Sequence, residues 1–231
     1  MVVPLFIGLF DVQSAFDAVQ HIILMDKLFD QQTLLAMWSI INDMYSDLTT
    51  RVKWKGELNN TYSVLQGVRQ GGILSTHFYK IFVQYLLLEL EENSLGYHLG
   101  NVYIGTPTCA DDVAFIERDS NNLQIMINVI SRYAKQHHYK INLLKTRILD
   151  RSKHPSVDEC WEMNGIDIKP SDSAVHLGVT RSGIKEVELN IEERIKCARR
   201  TKYGLLGTGF HGTNGINPIT AYQIYKTYVL P

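Results

Sequence analysis

The sequence predicts an α/β domain followed by a helical lobe, on three observations. Short apolar runs alternate with amphipathic helical patterns up to about residue 180. From Lys185 onward only helical patterns remain. Hydrophobic residues make up 45% of the 231, enough to bury a sizeable core. Strands mixed with helices, ahead of a stretch of helices alone, mark a sheet-based unit with a lobe appended.

The elements follow in order. Leu5–Phe10 reads as a buried strand, and His21–Phe29 and Leu34–Tyr45 as helices, with Thr33 a weak start signal for the second. Thr49–Lys55 alternates as a half-exposed strand, turns through Gly56 and Asn59–Asn60, and pairs back over Tyr62–Leu65. A glycine-rich loop, Gly67–Gly72, leads into a helix over Phe78–Leu90 whose inner face is Phe78, Ile81, Phe82, Tyr85 and Leu86. Val102–Cys109 and Val113–Ile116 flank Asp111–Asp112 as the arms of a hairpin. Asp119 or Ser120 caps a helix whose inner face is Leu123, Met126, Ile127, Ile130 and Ala134. Ile141–Leu149 reads as a turn and a strand. Trp161–Ile168 reads as a hairpin about Asn164–Gly165, and Val175–Val179 as another short strand. Helices then run over Glu186–Leu206 and, after a glycine-rich gap, Pro218–Leu230.

Composition excludes wholesale disorder and fibrous repeats. No apolar run approaches the roughly 20 residues that cross a bilayer, so no membrane is expected as a partner. The apolar opening, Met1–Phe10, lacks a basic leader and runs into Asp11, which reads as a strand and not a signal peptide. The odd count of three cysteines, without a Cys-x-x-Cys pair, favours a reducing compartment. The expected location is intracellular, nuclear or cytoplasmic, and not secreted. The net charge of −1 is unevenly spread: residues 1–130 carry 7 Lys/Arg against 14 Asp/Glu, and residues 181–231 carry 8 against 4. An acidic first half meets a polyanion only through bound divalent cations or through the basic end.

Three segments carry chemistry. Asp11 ends the first apolar strand, and Asp111–Asp112 occupy a later hairpin tip. Adjacent carboxylates converging at a strand end repel unless a cation neutralises them, and such oxygen donors suit Mg²⁺. Taken singly, the doublet reads as a solvated turn and Asp11 as a strand-end or helix-cap acid. Asp17 reads as structural, capping a helix or pairing with a base. The third segment, Gln66-Gly67-Val68-Arg69-Gln70-Gly71-Gly72-Ile73-Leu74-Ser75, lets backbone approach a ligand ahead of a helix N-terminus, with Arg69 as a fixed positive charge. It also reads as a tight helix-entry turn.

Together and in this order, the Asp11-x-x-x-Ala15-Phe16-Asp17 segment, the Gln66–Ser75 stretch and the Ala110-Asp111-Asp112 box resemble a reverse transcriptase of the non-LTR (LINE-like) retrotransposon type. Asn142–Thr146 is similar to that family's Lys-Thr segment, and His176-Leu177-Gly178 to its primer grip. The chain departs from the family pattern at Thr76, where proline is usual, and at Cys109, where an aromatic residue is usual.

The resemblance implies a right-hand polymerase palm over residues 1–180, an antiparallel sheet of three or four strands backed by two or three helices. A partial helical thumb would follow over 181–231. It implies an RNA-directed DNA polymerase that uses two Mg²⁺ ions, with Mn²⁺ as a substitute. Asp11 and Asp111 would be the principal ligands, with Asp112 and the carbonyl of Val12 assisting. Phe16 would gate the sugar. Gln66, Gly67, Arg69, Gln70 and Gly71 would border the nascent base pair and template, and Lys145 the triphosphate. His176, Leu177 and Gly178 would position the primer. The implied partners are an RNA template, a DNA primer and deoxynucleoside triphosphates. No fingers region precedes the first carboxylate, so the expectation includes a truncated polymerase, with a catalytically inactive nucleic-acid-binding remnant as the alternative. An uncovered palm face with exposed apolar area is expected with it.

Overall fold

The computed structural model describes residues 4–152, 159–183, 185–207 and 217–229. The chain falls into two compact units, one reaching Asp172 and one starting at Ser173, and each is taken by itself. Within the first, β1 (Phe6–Phe10) is followed by helices α1 (His21–Asp30) and α2 (Leu35–Tyr45). Four two-residue strands come next: β2 (Thr49–Thr50), β3 (Lys53–Trp54), β4 (Glu57–Leu58) and β5 (Tyr62–Ser63). Helix α3 (Ser75–Glu92) leads to β6 (His98–Leu99), β7 (Val102–Tyr103), β8 (Thr108–Cys109) and β9 (Asp112–Glu117). Helix α4 (Ser120–Gln136), β10 (Arg147–Asp150), β11 (Trp161–Met163) and β12 (Ile166–Ile168) complete the unit.

The main sheet has the order β10-β1-β9-β8 with every pair antiparallel. It is antiparallel, as expected, and its four strands are the larger of the three or four expected. The first strand therefore lies inside the sheet, between the two strands that follow it at long range. Phe6 and Phe10 share the face that enters the helix-covered core, and Leu9, on the opposite face, is buried as well, so the strand reads as an apolar run and not as an alternation. Gly8 has no room for a side chain, because a Cβ there would meet the ring of Phe10 at 2.6 Å.

Helices α1, α3 and α4 close the core over this sheet. Phe6, Phe10, Phe115 and Ile148 from the strands join residues of the helices in one cluster. The inner face of α4 is the expected one: Leu123, Met126, Ile127, Ile130 and Ala134 are all buried. Asp119 caps that helix by accepting from the backbone N–H of Asn121 and Asn122, each at 2.9 Å. The face of α3 differs from expectation. Tyr79 and Val83 are buried, while Ile81 is half-buried and Tyr85 exposed. The helix starts at Ser75, three residues earlier than the apolar run, and presents Phe78, Tyr79, Phe82, Val83, Leu86 and Leu90 inward.

Val102–Cys109 is not a single strand. It divides at Gly105–Pro107 into β7, which pairs back on β6, and β8, which joins the main sheet. Proline cannot donate to a ladder, and Gly105 lies against Gly96 with no space for a side chain. The β11–β12 hairpin turns through Asn164–Gly165, both at positive φ. It sets Trp161 edge-on to Phe6, centroids 5.3 Å apart. Helix α2 buries only Ile41 and leaves Leu35, Met37, Ile40 and Met44 exposed.

In the second unit β13 (Ser173–His176) and β14 (Val179–Ser182) form a hairpin, and α5 (Glu186–Gly207) and α6 (Pro218–Tyr228) follow. Val175–Val179 is thus not one strand, since Leu177 and Gly178 both adopt positive φ and turn the chain. Asn190 ties α5 to that hairpin by exchanging hydrogen bonds with the N–H and C=O of Thr180. Most of the glycine-rich gap before α6 lies outside the described residues. Among the described residues no helix is long and apolar enough to cross a membrane.

Candidate active site

The pairing of Phe10 with Val113 places the next residue out on each strand, Asp11 and Asp112, at the same end of the sheet. Asp111 stands beside them in the two-residue turn between β8 and β9. Ala110 opens that turn at φ +56°, a left-handed conformation costing a non-glycine residue roughly 1 kcal/mol. Asp111 and Val12 line one small cavity together with Tyr79. The Tyr79 hydroxyl is held well above its ordinary pKa, first by burial and then by the neighbouring Tyr139, Asp111 and Asp112.

Asp11 is fixed by the turn that precedes β10. Its carbonyl accepts from the N–H of Asn142 at 2.7 Å, Gln13 donates to the carbonyl of Lys140, and Val12 bridges to Ile141. The Asn142 carbonyl in turn accepts from the N–H groups of Lys145 and Thr146. This tight turn carries Lys145 back over the strand end, with its Nζ 3.5 Å from Asp11 Oδ2. The lysine is exposed, yet it is an ion-pair partner of the first carboxylate and not a freely solvated strand-end charge.

The Asp11–Asp17 segment and the glycine-rich loop are laced together. Phe16 accepts from the N–H of Val68 at 2.8 Å, and Val19 from that of Gly67 at 2.7 Å. The Gln20 amide donates to Gln66, and the His21 ring bonds the Gly67 carbonyl. Gly67 adopts φ +97° with the Asp17 backbone against it, so the bend needs glycine. Beyond it, Arg69, Gln70 and Gly71 are exposed. The Arg69 carbonyl accepts from Gly72 N–H and from the Ser75 hydroxyl, which closes the loop onto the start of α3. Phe16 lies against Tyr79, ring centroids 5.5 Å apart. Asp17 does not cap α1, whose N-cap is Gln20, and it takes no part in an ion pair among the described residues. It serves through its backbone, which backs Gly67.

Hard carboxylate oxygens on Asp11, Asp111 and Asp112 fit a divalent cation by donor type. Among the described residues no group of three or more His, Cys, Asp or Glu is drawn close enough to hold a metal ion. Bare carboxylates repel one another, and Lys145 supplies the positive charge at Asp11. His176, Leu177 and Gly178 sit at the turn of the β13–β14 hairpin in the second unit. His176 Nε2 is buried there without a hydrogen-bond partner.

Helical periodicity marked Tyr79 only as part of an apolar run, and nothing in the sequence marked the Asn142 anchor of Asp11. The clasp of Gln20 and His21 on Gln66 and Gly67 was equally silent, because it joins residues 46 apart.

Residues 6–181 match the family of reverse transcriptases (RNA-dependent DNA polymerases). Over 126 residues the chain is 30% identical to a retrovirus-related Pol polyprotein from the type-1 retrotransposable element R2 of Nasonia vitripennis. That alignment takes in 54% of this chain and 12% of the relative, so the chain spans only a small part of that protein. Among solved structures the fold is similar to apo telomerase from Candida tropicalis truncated from its C-terminal domain. The TM-score is 0.54 at 18% identity, over 79% of this chain and 36% of that one. It is also similar to Candida albicans telomerase in complex with a fragment of telomeric RNA, with a TM-score of 0.51 at 14% identity, over 96% of this chain and 42% of that one. The antiparallel sheet and its helices are those of a polymerase palm.

Proposed function

The chain belongs to the reverse transcriptase (RNA-dependent DNA polymerase) family, of the non-LTR retrotransposon type, and on that premise we propose that it carries the palm chemistry of RNA-directed DNA synthesis. The observation that carries this reading is the register of β1 on β9, which sets Asp11 beside the Asp111–Asp112 turn. The sheet-based unit would act as the palm and the helices after residue 180 as the start of the thumb. The proposed partners are an RNA template, a DNA primer and deoxynucleoside triphosphates. A fungal telomerase of similar fold is seen with a fragment of telomeric RNA, which supports RNA as a partner.

Asp11 and Asp111 would hold the divalent ions, with Asp112 and the Val12 carbonyl beside them. Paired Mg²⁺ on these oxygens supplies activation of a hydroxyl and neutralisation of a leaving phosphate. The primer 3′-hydroxyl attacks the α-phosphate, the new phosphodiester oxygen loses its proton, and pyrophosphate leaves. Lys145, tethered by the Asn142 turn within 3.5 Å of Asp11, would offer its ammonium to a triphosphate bound beside that carboxylate. Phe16, backed by Tyr79, would exclude a 2′-hydroxyl, the atom that separates ribo- from deoxynucleotides. The clasped Gln66–Gly71 loop would border the nascent pair and template, and the His176–Gly178 turn would position the primer.

The test is primer extension on an RNA template with Mg²⁺ and deoxynucleotides, comparing the wild-type chain with Asp111→Asn. Extension lost in the variant, with the circular dichroism spectrum unchanged, is the expected result. Extension that survives in the variant removes the carboxylates from the mechanism. A folded wild-type chain that binds template yet incorporates nothing is instead a nucleic-acid-binding remnant.

A further inference from the structure

Residues 49–63 form a two-stranded ribbon in which every residue is exposed. Its outer part, β3 on β4, turns through Lys55 and Gly56, at φ +49° and +92°. Its base is β2 on β5. Between the two, one extra residue on the returning strand shifts the register, and the Asn59 side chain fills the step by accepting from Val52 N–H. A bare two-stranded ribbon is marginal in water by itself. This one has no core to explain its composition, so its side chains answer to something outside it.

That composition is specific. Residues 1–130 carry only 7 Lys/Arg against 14 Asp/Glu, yet three of the seven, Arg51, Lys53 and Lys55, fall within five residues of this ribbon. Glu57 is the single acid between Thr49 and Ser63. Among the described residues none of the three cations takes part in an ion pair. Arg51 is steadied through its Nε on the Thr61 hydroxyl at 2.7 Å. Trp54 stands between them, 73% exposed, with Tyr62 exposed at the base. Trp38 and Trp161, by contrast, are packed into or against the core.

We propose that the 49–63 ribbon is a contact site for single-stranded polynucleotide, with Arg51, Lys53 and Lys55 on successive phosphates and Trp54 stacked on a base. Arg51 and Lys53 are two residues apart, about 6.7 Å along extended backbone, the order of the spacing between neighbouring phosphates of an extended strand, and Lys55 follows at the turn. Interleaved cations and an exposed indole suit a phosphate backbone that carries flat bases. Two of the three cations are lysines, a residue depleted where protein interfaces are buried. The ribbon also has a continuous route to the template-side loop. Thr49, Thr50 and Val64 at its base share an open cavity of about 770 Å³ with Gln66, Arg69 and Phe78. A strand leaving Arg69 along that wall reaches Thr49 and Thr50, the residues just before Arg51 in the chain. The site lies outside the carboxylate cluster and works without catalysis.

The experiment titrates the full chain with a 20-nucleotide oligo(U) in EDTA without nucleotides, so a failure of polymerisation does not bear on it. Trp54 fluorescence and anisotropy of the labelled oligonucleotide are read at several salt concentrations. The triple variant R51A/K53A/K55A is expected to weaken binding at least about tenfold and to flatten the salt slope of log K by about 2. Trp54→Ala is expected to cost about tenfold and to abolish the fluorescence response. Unchanged affinity and slope in the triple variant overturn the proposal, as does a chain that does not bind the oligonucleotide. Should a variant fail to fold, ultraviolet crosslinking of the wild-type chain decides: crosslinks mapping to 49–63 support the site, and crosslinks confined elsewhere overturn it.

Discussion

Lys145 closes on Asp11 with Nζ 3.5 Å from Oδ2, although 134 residues of chain separate them. The approach is built by the Asn142 turn, which first hydrogen-bonds the Asp11 carbonyl and then bends Lys145 back over it. The carboxylate proposed as the first metal ligand is thereby held by an internal cation. With side-chain exposures of 68% and 38%, the pair is solvent-screened and contributes little to stability.

Lys145→Met is accordingly expected to change unfolding free energy by less than about 1 kcal/mol. It should raise the affinity of the site for Mn²⁺ several-fold, read by electron paramagnetic resonance titration, because the competing charge is gone. In primer extension it should lower incorporation, since the triphosphate loses its lysine. Manganese affinity equal to wild type would mean that the pair does not guard Asp11.

Phe16 lies against Tyr79, whose buried hydroxyl sits below the acidic turn. Phe16→Val trims the ring while keeping the site apolar, at an expected cost of about 1–3 kcal/mol for a half-buried position. The variant should incorporate ribonucleotides more readily relative to deoxynucleotides, measured by competing the two in single-step extension. An unchanged ratio would leave Phe16 as an ordinary packing residue.

Gly67 bends at φ +97° with the Asp17 Cα 3.4 Å from where a Cβ would be. The space tolerates a methyl group; the backbone conformation does not. Gly67→Ala should destabilise by about 1–3 kcal/mol, seen as a lowered midpoint in urea at an unchanged slope. Gly71→Ala, at φ +78° with open space around it, should cost about 1 kcal/mol.

Lys27 is buried, with its ammonium on the Tyr133 hydroxyl at 2.5 Å and the Tyr85 ring 4.5 Å away. Burial pulls its pKa from 10.5 down to about 8, against a smaller upward pull from Asp30. Below pH 8 both states are protonated, and the folded one carries the cost of a buried charge. Between pH 8 and 10.5 only the unfolded state keeps the proton, so stability rises with pH there. Tyr79, Tyr133 and Tyr139 act oppositely, since burial raises all three. Their contribution is full below pH 10 and is lost as pH climbs through their folded-state values. Denaturant titrations at stepped pH should show stability climbing above pH 8 and falling well above pH 10. Lys27→Met should erase the climb and leave the fall.

The sequence by itself determined the local elements and the chemistry-bearing segments. Inner-face residues of α4, the Asp119 cap, the Asn164–Gly165 turn and the three family segments depend on neighbours a few positions away, and periodicity and turn chemistry report those. Tertiary structure alone decided what lies beside what. The sheet order puts β1 between β9 and β10, and only that order brings Asp11 level with Asp112 and under Lys145. It decided equally that Gln20 and His21 clasp the glycine loop, that Tyr79 and not Ile81 faces inward, and that the hairpin turn cuts Val175–Val179. The reason is that ladder pairing and burial are set by partners far along the chain, which a local pattern of polar and apolar residues does not name.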